Sequence, residues 1–193
     1  MKVQRTITFT VICFGLFFSV LFLSAPATGQ ATDSLQWGTT VNSLQMSVSI
    51  SDSQATAAPE LQFIIRNVGE KDTILNLGMM LGNGKVQLPD KISFILTDDN
   101  GKSRKFDFFD GRYAAIAGRV DDYIVPLRSG SMYGLKIGMD KFYSSSTNEM
   151  GSKLPSGRYQ LIAQFEGEGT EIRNLIINSW KGKLQSNTLS IEK

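Results

Sequence analysis

Between residues 44 and 51 apolar and polar side chains alternate one for one, with Leu44, Met46, Val48 and Ile50 separated by Gln45, Ser47 and Ser49. A period of two puts the four apolar side chains on one face, which predicts a strand with one buried side. Leu61, Phe63 and Ile65 repeat the pattern and end at Asn67-Val68-Gly69-Glu70-Lys71, a turn-forming cluster; Thr73 to Met80 then predicts a third strand. Lys91 to Thr97 and Lys102 to Phe109 are two further β-type runs joined by Asp98-Asp99-Asn100-Gly101. Asn-Gly between such runs predicts a hairpin, because both residues tolerate the positive φ of a tight hairpin turn. Asp122 to Leu127 and Met132 to Ile137, joined by Arg128-Ser129-Gly130, predict two more strands, and Arg158 to Phe165 and Ser186 to Glu192 predict the last two.

Outside the first residues no helical stripe develops; the best helical segment is a single turn near Met139 to Tyr143, too short to stand alone. Eight or nine short strands at regular spacing, with turns between them, predict an all-β fold, an antiparallel sandwich. The longer connections, 52 to 59, 110 to 121, 144 to 156 and 167 to 173, are where a rigid scaffold would carry function.

The chain opens differently. Lys2 and Arg5 precede an apolar run from Ile7 to Leu23, and Ser24-Ala25-Pro26-Ala27 follows. A positive start, an apolar stretch and small residues at the cleavage positions predict a signal peptide over residues 1–27 and one domain over 28–193. The apolar run is nearly long enough to span a bilayer, so an uncleaved anchor is the alternative, but Gly15 and Ser19 dilute it and Pro26 breaks it. In both cases the domain is expected outside the cytoplasm, secreted or periplasmic in the cell envelope, touching the membrane only if the segment stays attached. The one cysteine, Cys13, lies in this segment, and no lipoprotein pattern precedes it. Without a disulfide framework the domain must rely on its core, and at roughly 160 residues about two-thirds of the unfolded surface can be buried.

Composition then removes chemistries. Lys2 and Arg5 account for the excess of two positive charges, so the exported domain is near neutral and has no basic face for nucleic acid. The chain has no histidine. A Ser-His-Asp triad, a thiol protease and the usual His or Cys zinc sites are excluded, which leaves carboxylate chemistry, a Ser-Lys pair or calcium on oxygen ligands, and no cofactor is implied. Asp98-Asp99 and Asp121-Asp122 are adjacent pairs whose side chains point to opposite faces of a strand, which is poor geometry for a carboxylate pair acting across a cleft. An EF-hand count that places Gly101 at the sixth position puts Leu96 at the first, and an apolar first ligand defeats it.

Four aromatic residues remain as ligand contacts. Trp37 and Trp180, near the two ends of the domain, would form a stacking platform if exposed and would close the ends of the sandwich if buried. Tyr113 and Tyr143 fall in predicted loops, where aromatic residues more often face a partner.

Leu154-Pro155-Ser156-Gly157-Arg158-Tyr159 resembles the tyrosine corner of immunoglobulin-like sandwiches, in which a tyrosine hydroxyl returns to the backbone of the preceding loop and a glycine two residues earlier gives room. Together with Phe63 to Gly69, Leu96 to Lys102 and Leu127 to Gly130, this segment is similar to secreted bacterial immunoglobulin-like domains and, more loosely, to the family of the intracellular proteinase inhibitor of bacilli. The resemblance implies an immunoglobulin-like β-sandwich and carries over no inhibitory residue. The expected function is an exported, non-catalytic binding or accessory module whose loops meet a protein or glycan. A secreted proteinase inhibitor acting through a sandwich loop is the alternative, and a carboxylate-based hydrolase comes third.

Overall fold

The computed structural model describes residues 35–51, 59–82, 84–111, 119–168, 170–172 and 175–193. They form β1 Leu44–Ser51, β2 Glu60–Asn67, β3 Thr73–Leu81, β4 Val86–Leu88, β5 Ile92–Asp98, β6 Ser103–Phe108 and β7 Val120–Leu127. After these come β8 Met132–Gly138, β9 Phe142–Ser144, β10 Glu149–Met150, β11 Arg158–Gly167, β12 Thr170–Ile172, β13 Leu175–Ile177 and β14 Gly182–Glu192. Single 3-10 turns occupy Met139–Lys141 and Gly151–Lys153, the first of them at the one helical turn expected from the sequence. Among the described residues there is no α-helix, and every strand pairing is antiparallel. The protein is all-β. The strands exceed the eight or nine expected because β4, β9, β10, β12 and β13 are two or three residues long, shorter than the runs in which an alternating pattern can register.

The strands form a three-stranded sheet β1-β2-β8, a three-stranded sheet β4-β3-β7, a six-stranded sheet β10-β9-β6-β5-β11-β14 and the small pair β12-β13. The three larger sheets share one hydrophobic core. Its centre is aromatic: Phe94 stacks on Phe106 at 5.0 Å between ring centroids and meets Phe142 at 4.9 Å, and Phe63 reaches Phe142 at 5.9 Å. These rings come from β5, β6, β9 and β2, and all four are fully buried. Each contributes about 1.5–3 kcal/mol through burial alone.

Polar side chains join the sheets at two seams. Asn187 in β14 accepts the Val48 N–H of β1 at 2.9 Å on Oδ1 and donates from Nδ2 to the Val48 carbonyl at 3.2 Å. A side-chain amide here supplies the donor and acceptor that a neighbouring strand would offer. Gly38 passes so close to the Gln185 carbonyl of the same strand that a Cβ would not fit. At the other seam, buried Asn67 donates to the carbonyls of Lys71 (2.8 Å) and Leu127 (3.2 Å), and its Oδ1 accepts the Gly69 N–H at 3.0 Å. It pins the end of β2 to the connection between β7 and β8. That connection changes sheets: β7 pairs with β3, and β8, four residues later, pairs with β2.

The hairpin between β5 and β6 forms where Asn100-Gly101 predicts it, by a different turn. Gly101 alone takes the left-handed conformation, with φ 78°, while Asn100 is not among the residues of positive φ. Gly101 N–H donates to Asp98 O at 2.9 Å, and the Asp98 carboxylate accepts the N–H groups of Asn100 and Lys102, both at 3.0 Å. This is a three-residue turn with one glycine in the left-handed position, rather than a two-residue turn using both. Tyr159 donates its hydroxyl to the Pro155 carbonyl at 2.9 Å, the bond expected of it. A Cβ on Gly157 would only make ordinary contact with that ring at 3.7 Å, so steric room is not what the glycine supplies.

Candidate functional site

A cleft of about 260 Å³ opens where β8 meets the end of β6, with β4 and β7 on its far side. Pro89, Phe108, Leu135 and Ile137 give it an apolar lining. Its polar groups are Gln87, Tyr123, Lys136, Lys141 and Asp110. Tyr123 arrives there because β7 alternates, sending Tyr123, Val125 and Leu127 inward. Its hydroxyl donates to Gln87 Oε1 at 2.9 Å and lies in hydrogen-bond contact with the hydroxyl of Tyr133 on β8, so the two phenols tie strands of different sheets together. Burial, reinforced by the bond to Tyr133 and by its charge, pushes the Tyr123 phenol well above the usual tyrosine range. Tyr123 is therefore a neutral hydrogen-bonding group and cannot serve as a base near neutral pH.

A separate aromatic pair stands on the outer face of the six-stranded sheet, turned away from the core face of Phe108 and Phe142. Phe109 is 46% exposed, a high value for so large an apolar side chain, and its ring lies 5.7 Å from that of Tyr143 at a tilt of 44°. Tyr143 donates its hydroxyl to Asn148 Oδ1 at 2.7 Å. Expected in a loop, Tyr143 stands instead in the middle of β9, whose two ladder bonds to β6 and β10 fix its direction. Phe109 was legible in principle. In a run where Phe106 and Phe108 face the core, strand alternation leaves Phe109 on the other side.

The other predicted contact residues do not converge on this place. Trp180 is only 7% exposed, stacks on Phe165 at 5.7 Å and donates its indole N–H to Asn42 O at 3.1 Å. Its ring is part of the core. Trp37 is half-buried beneath the Arg66 guanidinium, 3.9 Å from the ring centroid, and Arg66 is held in turn by Gln45 at 2.8 Å. One face of that indole is thus already occupied. Tyr113 lies outside the described residues.

Carboxylates gather elsewhere. A cavity of about 230 Å³ on the six-stranded sheet is lined by Asp90, Asp107, Glu166 and Glu168. Lysines engage three of them: Lys105 meets Asp107 at 2.7 Å, Lys183 meets Glu166 at 2.7 Å and Lys91 meets Glu168 at 2.6 Å. The Lys183 hydrogen bond holds Glu166 below the usual carboxyl range. A general acid needs the opposite shift. The cleft beside β8 contains one acid, Asp110, which is buried and has its own interactions. Among the described residues no group of three or more acids is arranged to hold a metal ion.

Compared with known protein families and with curated proteins, the sequence matches none. Among solved structures the chain is similar to a protein described as ApaA from Bordetella pertussis, with 11% identity and a TM-score of 0.36, over 82% of this chain and 95% of that one. It is also similar to an X-ray structure solved as a structural-genomics target, with 14% identity and a TM-score of 0.33, over 79% of this chain and 88% of that one.

Proposed function

We propose that this chain is an exported, non-catalytic binding or accessory module, an immunoglobulin-like sandwich behind a removed signal peptide of residues 1–27. It meets a protein or glycan partner outside the cytoplasm at the surface formed by Phe109 and Tyr143. The observation that carries the reading is the pairing of exposed Phe109 with half-buried Tyr143 on the outer face of the six-stranded sheet. Single exposed apolar residues are ordinary, whereas aromatic rings grouped on a surface are the usual anchors of recognition. The cleft's volume of about 260 Å³ is below the ~300–1,000 Å³ of sites that enclose a whole small molecule. It suits one side chain or one ring of a larger partner. The tyrosine bond from Tyr159 to Pro155 and the single core shared by three antiparallel sheets support the sandwich. The likeness to the proteinase inhibitor family concerns fold alone, and inhibition across a protease panel would displace the binding reading.

The test is a glycan array together with a pull-down from an envelope fraction, run with the native domain and with Phe109→Ala and Tyr143→Ala. A ligand that binds the native domain and loses at least about tenfold in affinity with either variant, as for a hot-spot residue, supports the reading. Silence in both assays removes it. Export is checked separately: exported protein has an N-terminus near Thr28, and a full-length mass outside the cell contradicts cleavage.

A further inference from the structure

β8 is an edge strand. It pairs with β2 on one side, and among the described residues no strand lies on the other. Antiparallel geometry decides which of its main-chain groups are left over, because facing residues alternate between pairs that exchange both hydrogen bonds and pairs that exchange none. Asn67 N–H donates to Ser131 O at 3.0 Å at one end of this ladder, and Met139 N–H donates to Pro59 O at 2.9 Å at the other. Between them Ile65 faces Tyr133, Phe63 faces Leu135 and Leu61 faces Ile137. The exchanging pairs are therefore those of Tyr133, Leu135 and Ile137. The N–H and C=O groups of Gly134, Lys136 and Gly138 point away from β2, and Lys136 and Gly138 line the cleft.

Resting on the binding reading above, we infer that the cleft receives an extended, acidic polypeptide segment of a partner, added as a strand to the free edge of β8. Three features fit that occupant. Outward main-chain groups recur at every second residue, about 6.6 Å apart, the repeat of an incoming strand. The apolar part of the cleft takes one side chain: a cavity of ~150 Å³ already holds a benzene ring, and this one is about 260 Å³. Charge complements an acid, since Lys136 and Lys141 flank the edge while Asp110 is buried and engaged. Lys141 lies 3.5 Å from the Asp140 carboxylate, with both side chains about half exposed, a pairing that solvent keeps weak. A lysine on an edge strand also discourages pairing with a second copy of itself. It selects an acidic strand over a basic one.

Gly138 supplies the decisive variant. Its φ of −65° and ψ of 142° are those of proline, and its N–H is one of the outward groups. Gly138→Pro deletes that donor without touching the ladder to β2; only the exposed end of Asp140 must swing aside. The experiment is residue-resolved amide exchange by NMR on the whole domain, alone and with two blocked heptapeptides of alternating valine and threonine, one carrying a central glutamate and the other a lysine. In the free protein the amides of Gly134, Lys136 and Gly138 exchange quickly and those of Leu135 and Ile137 slowly. The glutamate peptide protects the three fast amides and binds at least tenfold more tightly than the lysine peptide. A Lys136→Glu, Lys141→Glu double variant reverses that order, and Gly138→Pro, with its unfolding midpoint unchanged, loses the binding. Slow exchange at the three amides in the free protein, failure of the glutamate peptide to bind, or binding indifferent to Gly138→Pro overturns strand addition. A glycan or envelope ligand that needs Phe109 yet ignores Gly138→Pro overturns it while leaving the binding module intact. Loss of every ligand removes both.

Discussion

Asn187→Ala cuts the amide bridge between β1 and β14. Val48 is 2% exposed, and its N–H and C=O both end on this one side chain, at 2.9 and 3.2 Å. Alanine leaves the two main-chain groups without partners at a site half-shielded from water. Each buried group so stranded costs ~1–3 kcal/mol, and partial access of solvent favours the lower part of that range, giving a loss of about 2–4 kcal/mol for the pair. For a domain of this size each kcal/mol lowers the melting temperature by roughly 2–4 °C, so the variant melts roughly 4–16 °C below the native protein. The assay is urea unfolding with a shared slope, combined with amide exchange at Val48, which should speed up well beyond its neighbours. Asn187→Asp sharpens the test: it keeps the acceptor for Val48 N–H but sets a carboxylate against the Val48 carbonyl, so at neutral pH it should be at least as harmful as alanine. A loss under ~0.5 kcal/mol, ordinary for a surface substitution, would refute the claim that this amide joins the sheets.

The other expectations concern separate parts of the molecule. Trp180→Ala should cost about 3–5 kcal/mol, as for other buried aromatics, while refolded protein at low temperature keeps its ligand affinity; a ligand-specific defect without loss of stability would move the ring from core to contact. Asn67→Ala should cost roughly 2–4 kcal/mol in denaturant titration, because it frees the Gly69 N–H and the carbonyls of Lys71 and Leu127 together. Tyr123 stays protonated in the fold while the unfolded chain ionises near pH 10, so its contribution is whole below that value and is lost as pH rises beyond it. Tyr123→Phe should flatten the alkaline fall in unfolding midpoint. Glu166 has the opposite sign: held low by Lys183, it adds stability above the ordinary carboxyl range that disappears as pH falls through its folded value. Lys183→Met should weaken that acid-side dependence, and because both groups are half exposed the effect should be small and vanish in high salt.

Strands whose inward and outward residues differ sharply are plain in the sequence. Leu44 to Ser51 reads as β1, and its alternation is the alternation of burial except at Ser47 and Ser51, which are buried on the nominally polar face, and at Ile50, which is exposed. The β5–β6 hairpin is equally plain, although its turn is set by the Asp98 carboxylate, a residue three before the glycine, which a dipeptide signal does not weigh. Segments of two or three residues, such as β9, carry too little pattern to separate from loop, and so Tyr143 was expected in the wrong kind of element. The start of β14 at Gly182 was hidden because Trp180-Lys181-Gly182-Lys183 lacks alternation; there the backbone follows β11, with Gly182 facing Gly167 and both packing on Trp180. The pairing of Phe109 with Tyr143 brings together residues 34 apart, and the Tyr123–Tyr133 contact joins strands of different sheets. Which neighbours meet across sheets depends on topology, and chain order alone does not contain it.

The amide bridge has a kinetic side. Val48 and Asn187 are separated by 139 residues, so the contact that secures the first strand of the fold waits until nearly all of the chain has been ordered. Closing so long a loop is entropically slow, and folds dominated by such distant pairings reach the native state on the slower end of the scale. Until β14 is in place, β1 has β2 for a partner but no lock on its other edge. The first strand of the fold is therefore completed only by the last, and its outer edge stays unsecured until the final segment of the chain has been made.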